Sequence, residues 1–389
     1  MPGSELIGAE ERAAVNEVFD DGGILFRRGY ASRRNGRYRT LEFEKAFADY
    51  LGVKHALAVT SGTAALKVAL VAMGVKPGDE VITQAFTFIA TVEAIADVGA
   101  RPVLVNVDDT LNMDPNELES AITPRTRAIL PVHMLGVAAE IEDILSVAER
   151  HHLPILEDNC ESLGANWKEK KLGTQGTACA FSFDFGKVIT TGEGGMVTTN
   201  DEEIFKLARE YHDHGHEHRP GIPTGQDTRR IYGFNYRMSE LHAAVGLAQL
   251  KKIDFIVETN RRHYITLEAG LREIGGLKFR RVPAACTPLC DTLIFELPST
   301  DIAQRFAERM GAQGLATKNL PDAVDWHFAG TWDHIFRHYG LSKEELSQKT
   351  LPTYDRLSRS IALPVMVRYT PEQVKDIVSK LMDIARELL

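Results

Sequence analysis

The sequence predicts an α/β fold in which a mostly parallel sheet is covered by helices on both faces, and three observations lead there. From about residue 40 the chain alternates short apolar or β-branched runs with stretches carrying apolar residues at three-and-four spacing. Its 44% hydrophobic and 25% charged residues, with 31 Gly and 16 Pro, are ordinary globular composition and exclude disorder, collagen-like repeats and coiled coil. Its 389 residues suffice for a large core and, at roughly 150 residues per domain, for two domains.

Taken in order, Thr40 can cap a helix carrying Phe43, Ala46, Phe47, Tyr50 and Leu51, and HALAVT (residues 55–60) follows as a buried strand. Ser61-Gly62-Thr63 breaks that strand and opens a helix. The rhythm repeats with EVIT and a helix from about Phe88, PVLVN and a helix near Pro115, AILPV and a helix near Glu140, then PILED and a loop. ACAFSF and GMVTT read as two further strands bracketing Lys187. A helix near Asp201, a polar loop from about His212 to Arg229 and a long helical pattern from Ser239 to Leu271 follow. Past Gly275 the character changes: VPAACTPLCDTLIFELP alternates like an antiparallel strand pair, and a helix covers 301–310. The division expected is a large domain over residues 1–260 and a smaller α+β domain over 261–389.

Composition excludes several classes of function. With 45 Lys+Arg against 54 Asp+Glu the net charge is −9, which argues against a nucleic-acid partner that reads the whole protein's field. The opening MPGSELIGAEER is acidic and lacks the apolar segment of a signal peptide, and Ala56–Val75 is interrupted by Thr60, Ser61, Thr63 and Lys67, so no membrane span is expected. Four cysteines do not make a disulfide scaffold, and Cys286 and Cys290 have three residues between them rather than the two of a zinc knuckle. Reduced structural thiols and a cytoplasmic location are expected.

Chemistry is carried by separated segments. Gly62 and Thr63, between strand and helix, offer free N–H groups and a helix dipole to an anion such as phosphate, although a plain tight turn fits the same residues. Asp158 ends a strand at the carboxyl edge of the sheet, where open α/β folds place ligands; there it serves either a protonated ring nitrogen or a turn. In FSFDFGKVITTGEGG, Lys187 follows a strand ending in Ser182 and precedes a Thr- and Gly-rich stretch. Phe181, Phe183, Phe185, Val188 and Ile189 flank it, so partial desolvation should disfavour its ammonium form, as an amine nucleophile requires. A lysine snorkelling from a surface loop is the competing reading.

SGTAAL, FTFIAT, LEDNCESLGA, FSFDFGKVITTGEGGMVTTN and GFNYRMSELHAAVG occur in this order. Together they resemble the pyridoxal-phosphate aminotransferases acting on keto sugars, the DegT/DnrJ/EryC1/StrS family, over essentially the whole chain. The resemblance implies a fold-type I aminotransferase. In it Lys187 carries the cofactor covalently, Asp158 pairs with the pyridine nitrogen, Phe88 stacks on the ring, and Gly62, Thr63 and Ser182 contact the phosphate. It also implies a homodimer with shared active sites, in which Asn235 contacts the phosphate of the other subunit, and L-glutamate as amino donor. One position departs from the pattern: three residues after the aspartate the family often carries Gln or His, and here stands Glu161, placed near the cofactor or else simply solvated. Relatives that dehydrate deoxysugars carry His where this chain has Lys187, which favours transamination over that lyase reading and over a non-catalytic regulator.

The acceptor is read from weaker marks. Six arginines, Arg27, Arg28, Arg33, Arg34, Arg37 and Arg39, precede the first sheet helix; they form either a solvated basic loop or a clamp on an anionic acceptor. His212, His214, His216 and His218 alternate, so an extended segment would put them on one face. Without carboxylate or cysteine partners at ligand spacing, a substrate-facing or surface loop is expected and no metal. His327, Trp326 and Trp332 either line the acceptor pocket or pack in the core. MPGSELIGAEE, the arginine segment, DHGHEH and VDWHFAGTWDHI resemble the branch that aminates carbon 8 of the octulosonic acid Kdo. Nucleotide-linked 4-keto-6-deoxy sugars are the rival acceptors.

Overall fold

The computed structural model describes residues 2–389. The expected sheet is present as strands β1 (His55–Val59), β2 (Glu80–Gln84), β3 (Arg101–Val105), β4 (Thr126–Leu130), β5 (Leu156–Asp158), β6 (Ala178–Ser182) and β7 (Gly195–Thr199). The ladder β3-β2-β4 is parallel, as is β5-β6. Parallel bridges Ile129–Ile155 and Val132–Asp158 join the two ladders. β7 runs antiparallel between β6 and β1, giving the order β3-β2-β4-β5-β6-β7-β1 with a single reversed strand. Parallel neighbours need crossovers: α4 (Ile89–Asp97) joins β2 to β3 and α5 (Ile141–Arg150) joins β4 to β5, while α3 (Gly62–Ala72) carries the chain from the edge strand β1 to β2.

Before them come α1 (Ala9–Asp20) and α2 (Arg39–Leu51), and here the capping expectation is corrected. Tyr38, not Thr40, is the N-cap of α2, and it makes no side-chain cap. The N-terminal N–H groups are taken by Glu240, reached from 200 residues away: its carboxylate accepts from Arg39 N–H at 2.6 Å, Thr40 N–H at 3.2 Å and the Thr40 hydroxyl at 2.6 Å, and it also pairs with Arg34. Arg34 and Glu240 are 3% and 1% exposed, so removing one partner leaves a buried charge uncompensated. Glu240→Ala is therefore expected to cost about 3–5 kcal/mol, read as a lowered midpoint in urea unfolding. The opposite face of α2 buries Phe43 and Phe47 against Phe181 and Phe183, with ring centroids 5.1–5.4 Å apart.

Two further expectations are corrected. The helical pattern from Ser239 to Leu271 is two helices, α7 (Glu240–Leu250) and α8 (Ile253–Leu271), after α6 (Glu202–Tyr211), because Lys251 and Lys252 step out of register between them. The apolar runs of VPAACTPLCDTLIFELP do not pair with each other. Cys286–Thr287 pairs with Asn166–Trp167, whereas Thr292–Glu296 is the central strand of a separate antiparallel sheet between Lys278–Phe279 and Ser360–Pro364. That sheet packs with α8, α9 (Thr300–Ala312) and α10 (Pro371–Leu388) around Phe295, Phe306, Leu363 and Leu381. Between α9 and the last strand, Phe328, Trp332, Phe336 and Leu346 pack into the core of the large sheet.

Candidate functional site

The parallel strands β5 and β6 end side by side, Asp158 in register with Ala180, and their carboxyl ends floor a cavity of about 350 Å³. Gly62, Thr63, Phe88, Asp158, Glu161, Ser182, Lys187 and His327 all line it. Five segments far apart in sequence thus meet where the order of strands places a ligand.

Each side chain is held by the local fold. Asp158 is 3% exposed; its carboxylate accepts from the Thr91 hydroxyl at 2.8 Å and from Cys160 N–H at 3.1 Å. Phe88 is the N-cap residue of α4, so FTFIAT supplies both the exposed ring at the cavity wall and, one turn on, the Thr91 that orients Asp158. Ser61 caps α3 by accepting from Ala64 N–H at 3.0 Å, which leaves the first-turn amides of Gly62 and Thr63 at the cavity. A Cβ on Gly62 would stand 2.8 Å from Ser182 Cβ and 3.1 Å from Cys160 Sγ, and one on Gly195 would meet Ser61 O at 2.2 Å. The glycines let strand, turn and helix close on one floor. A buried carboxylate, a lysine, an aromatic face and helix N-terminal amides around one cavity fit pyridoxal phosphate, with its ring nitrogen, carbonyl, ring face and phosphate.

The environment of Lys187 differs from the one its sequence neighbours suggest. Phe181 and Phe183 are fully buried in the core with Phe43 and Phe47, and Phe185 is 59% exposed. What faces the amine is Glu161, at 3.7 Å. Burial alone pushes the Lys187 ammonium down, but the carboxylate of Glu161, with those of Asp184 and Asp158 behind it, reverses the balance and the net direction is up. The expectation of a neutral amine is corrected: the free lysine is held as a cation. Burial raises the Cys160 thiol well above its ordinary value, so it stays protonated.

Several expected contributors lie elsewhere. Arg27 is bidentate to Glu44 at 2.6 and 2.9 Å and 7% exposed, which corrects its place as an acceptor contact. Arg28 pairs with Asp213 at 2.7 Å; Arg34 pairs with Glu240, and Arg37 and Arg39 with Glu17 and Asp21. The arginine cluster is mostly internal ion pairs, not an open clamp. Trp332 is 2% exposed in the core, while Trp326 stacks near Phe88 at 6.5 Å. Asn235, Arg28, His214 and His216 do not line the cavity of their own protomer.

The alternating histidines do not share a face. His214 and His218 adopt left-handed backbone, the segment turns, and His212 and His216 go inward while His214 stays exposed. Among the described residues no group of three or more His, Cys, Asp or Glu could hold a metal ion. His218 accepts from Arg28 at Nδ1 (2.6 Å) and donates from Nε2 to Arg209 O (3.3 Å), an arrangement that requires neutral imidazole. Burial, then Arg209 and Arg28, depress it to about 4, and His212 and His216 are lowered as well, chiefly by burial. A depressed histidine binds protons more readily unfolded, so its stabilisation is complete above the unfolded value of about 6.5 and is lost as pH falls towards 4. The melting temperature should drop between pH 7 and 5, and less steeply in His218→Gln, when followed by circular dichroism.

Sequence reasoning missed Lys318, Asn319 and Gly3. Lys318, on the cavity wall, pairs with Asp291 at 2.6 Å and donates to the Thr292 hydroxyl at 2.9 Å; Asn319 stands beside it. Gly3 donates its N–H to Lys187 O at 3.1 Å, and a Cβ there would fall 2.9 Å from Ile189 Cα and Lys187 O. The next residues reach the C-terminal region, where Glu5 accepts from Arg368 N–H at 2.9 Å. Met1 of the opening MPGSELIGAEE lies outside the described residues.

The model of the DegT/DnrJ/EryC1/StrS aminotransferase family matches residues 7–382. The GDP-perosamine synthase of Caulobacter vibrioides is 47% identical over 241 residues, which span 62% of this chain and 63% of that protein, less than two thirds of its length. The spore coat polysaccharide biosynthesis protein SpsC of Bacillus subtilis is 39% identical over 394 residues, spanning 98% of this chain and 96% of that one. The crystal structure of 3-amino-5-hydroxybenzoic acid synthase superposes with a TM-score of 0.87 at 28% identity, covering 99% of this chain and 98% of that one.

Proposed function

Because the chain belongs to the DegT/DnrJ/EryC1/StrS aminotransferase family and is a pyridoxal-phosphate-dependent transaminase, we propose that it moves the amino group of L-glutamate to an anionic keto sugar, the 8-keto form of Kdo. The observation that carries the transaminase reading is one cavity shared by Lys187, Asp158, Phe88 and the Gly62–Thr63 turn. Bound pyridoxal phosphate supplies an electron sink for the carbanion formed at the substrate carbon. Asp158 would keep the ring nitrogen protonated, the α3 amides would hold the phosphate, and Ser182 would add a contact to it. Lys187 would hold the cofactor through its Nζ, and the same amine, when free, would take the proton from the donor carbon.

For the acceptor, support comes from the opening MPGSELIGAEE, DHGHEH and VDWHFAGTWDHI, with His327 of the last segment on the cavity wall. The product would be 8-amino-3,8-dideoxy-octulosonate, destined for lipopolysaccharide. A nucleotide-linked 4-keto-6-deoxy sugar is the second reading, favoured by the relative named a GDP-perosamine synthase.

The same reading places the protein in the cytoplasm as a homodimer divided into domains at residues 1–260 and 261–389. Support for the dimer is the exposure of Tyr232 (79%), Tyr30 (58%), Phe26 and Phe234 around the segment of Asn235 and Arg28, which would then serve the partner's cavity. Among the described residues no helix is long and apolar enough to cross a membrane.

Mixing the loaded enzyme with L-glutamate alone tests the reaction class. One 2-oxoglutarate per protomer is expected before any acceptor is added, and no release overturns transamination.

A further inference from the structure

Glu161 stands where the family often carries a neutral Gln or His, and the neighbouring loop donates a backbone N–H to its side chain. Glu161 Oε2 accepts from Leu135 N–H at 3.3 Å. Leu135 does this from a left-handed conformation, φ 49°, that a buried non-glycine residue rarely adopts. The loop is fixed on both sides. Gly136 N–H donates to Ser162 Oγ at 3.1 Å, Ser162 Oγ donates to His133 O at 2.5 Å, and Arg280 donates to Met134 O at 2.8 Å and Leu135 O at 3.3 Å. The loop bearing Leu135 and the turn bearing Glu161 are therefore stitched together. The other carboxylate oxygen lies 3.7 Å from Lys187 Nζ.

We propose that Glu161 is the built-in counter-ion of Lys187, a positioning residue whose carboxylate holds the freed amine as a cation between half-reactions and so sets the pH at which the lysine becomes a base. This rests on Lys187 being the residue that carries the cofactor. Of the groups that face the amine, Glu161, Cys160, Asp184 and Asp158, only Glu161 is a carboxylate within ion-pair distance. Glu161 is itself held ionised against its burial by Lys187, His327 and Lys318 and by the Leu135 N–H. A glutamine could keep the Leu135 contact but not the charge, and burial would then favour the neutral amine.

The test reads the amine and not catalysis. The full chain, stripped of cofactor, is pulsed with acetic anhydride across a pH series, and acylation of Lys187 is quantified by mass spectrometry beside the exposed Lys54. In the wild type Lys187 should label with a midpoint at or above that of Lys54. In Glu161→Gln the midpoint should move to lower pH, with labelling at pH 8 about tenfold faster, as removal of one nearby charge predicts, whereas Glu161→Asp should stay close to the wild type. A wild-type midpoint below that of Lys54, or a Glu161→Gln profile identical to the wild type, overturns the proposal. The wild-type comparison decides alone if the glutamine variant does not fold. No donor or acceptor enters the experiment, so its failure is separate from a failure of the sugar aminotransferase reading.

Discussion

Lys187→Ala should lower turnover by on the order of 10⁴-fold or more and remove the visible absorption of the covalently held cofactor. No other lysine in the cavity can replace it: Lys318, the second one lining it, is tied to Asp291 and the Thr292 hydroxyl. Its own contacts are few. The side chain is 22% exposed and meets Glu161 at 3.7 Å, so its removal should leave the far-ultraviolet circular dichroism unchanged. An absorbance spectrum and steady-state turnover check both parts, and normal activity in this variant would be incompatible with the assignment.

Asp158→Asn should follow with a fall of about 10²–10³-fold. Asparagine is nearly isosteric, can accept from Cys160 N–H and can rearrange with the Thr91 hydroxyl, so the cavity keeps its shape. What it loses is the negative charge that keeps the ring nitrogen protonated, and with it the electron sink. The deficit should appear in the release of 2-oxoglutarate from glutamate alone, which rapid quenching measures, and Asp158→Glu should recover part of it. An asparagine variant with wild-type rates would remove Asp158 from the mechanism.

Most of the sheet was legible because its signals are local. Apolar runs ending in Thr or Asp mark strands that enter the site, and helices follow at three-and-four spacing. What was not legible depends on distant partners. Thr40 looks like a cap, but the N–H groups of its helix are met by Glu240, which no window of sequence contains. The phenylalanines flanking Lys187 alternate away from it into the core, and the group that decides its protonation, Glu161, arrives from the neighbouring strand end. The arginine cluster suggested an anionic ligand because its carboxylate partners, Glu44, Asp213, Glu240, Glu17 and Asp21, are scattered along the chain. The opening MPGSELIGAEE looked only like a mark of kinship, and the position of its Gly3 against the Lys187 carbonyl gives that glycine a physical reason.

The acceptor panel is the most direct measurement: purified enzyme and L-glutamate, with 8-keto-Kdo or nucleotide-linked 4-keto-6-deoxy sugars, scored by the aminated product identified by mass spectrometry. The highest kcat/KM should fall on 8-keto-Kdo, with 8-amino-3,8-dideoxy-octulosonate as product. Preference for the nucleotide sugars would contradict the acceptor, and amination of neither would contradict the keto-sugar function itself.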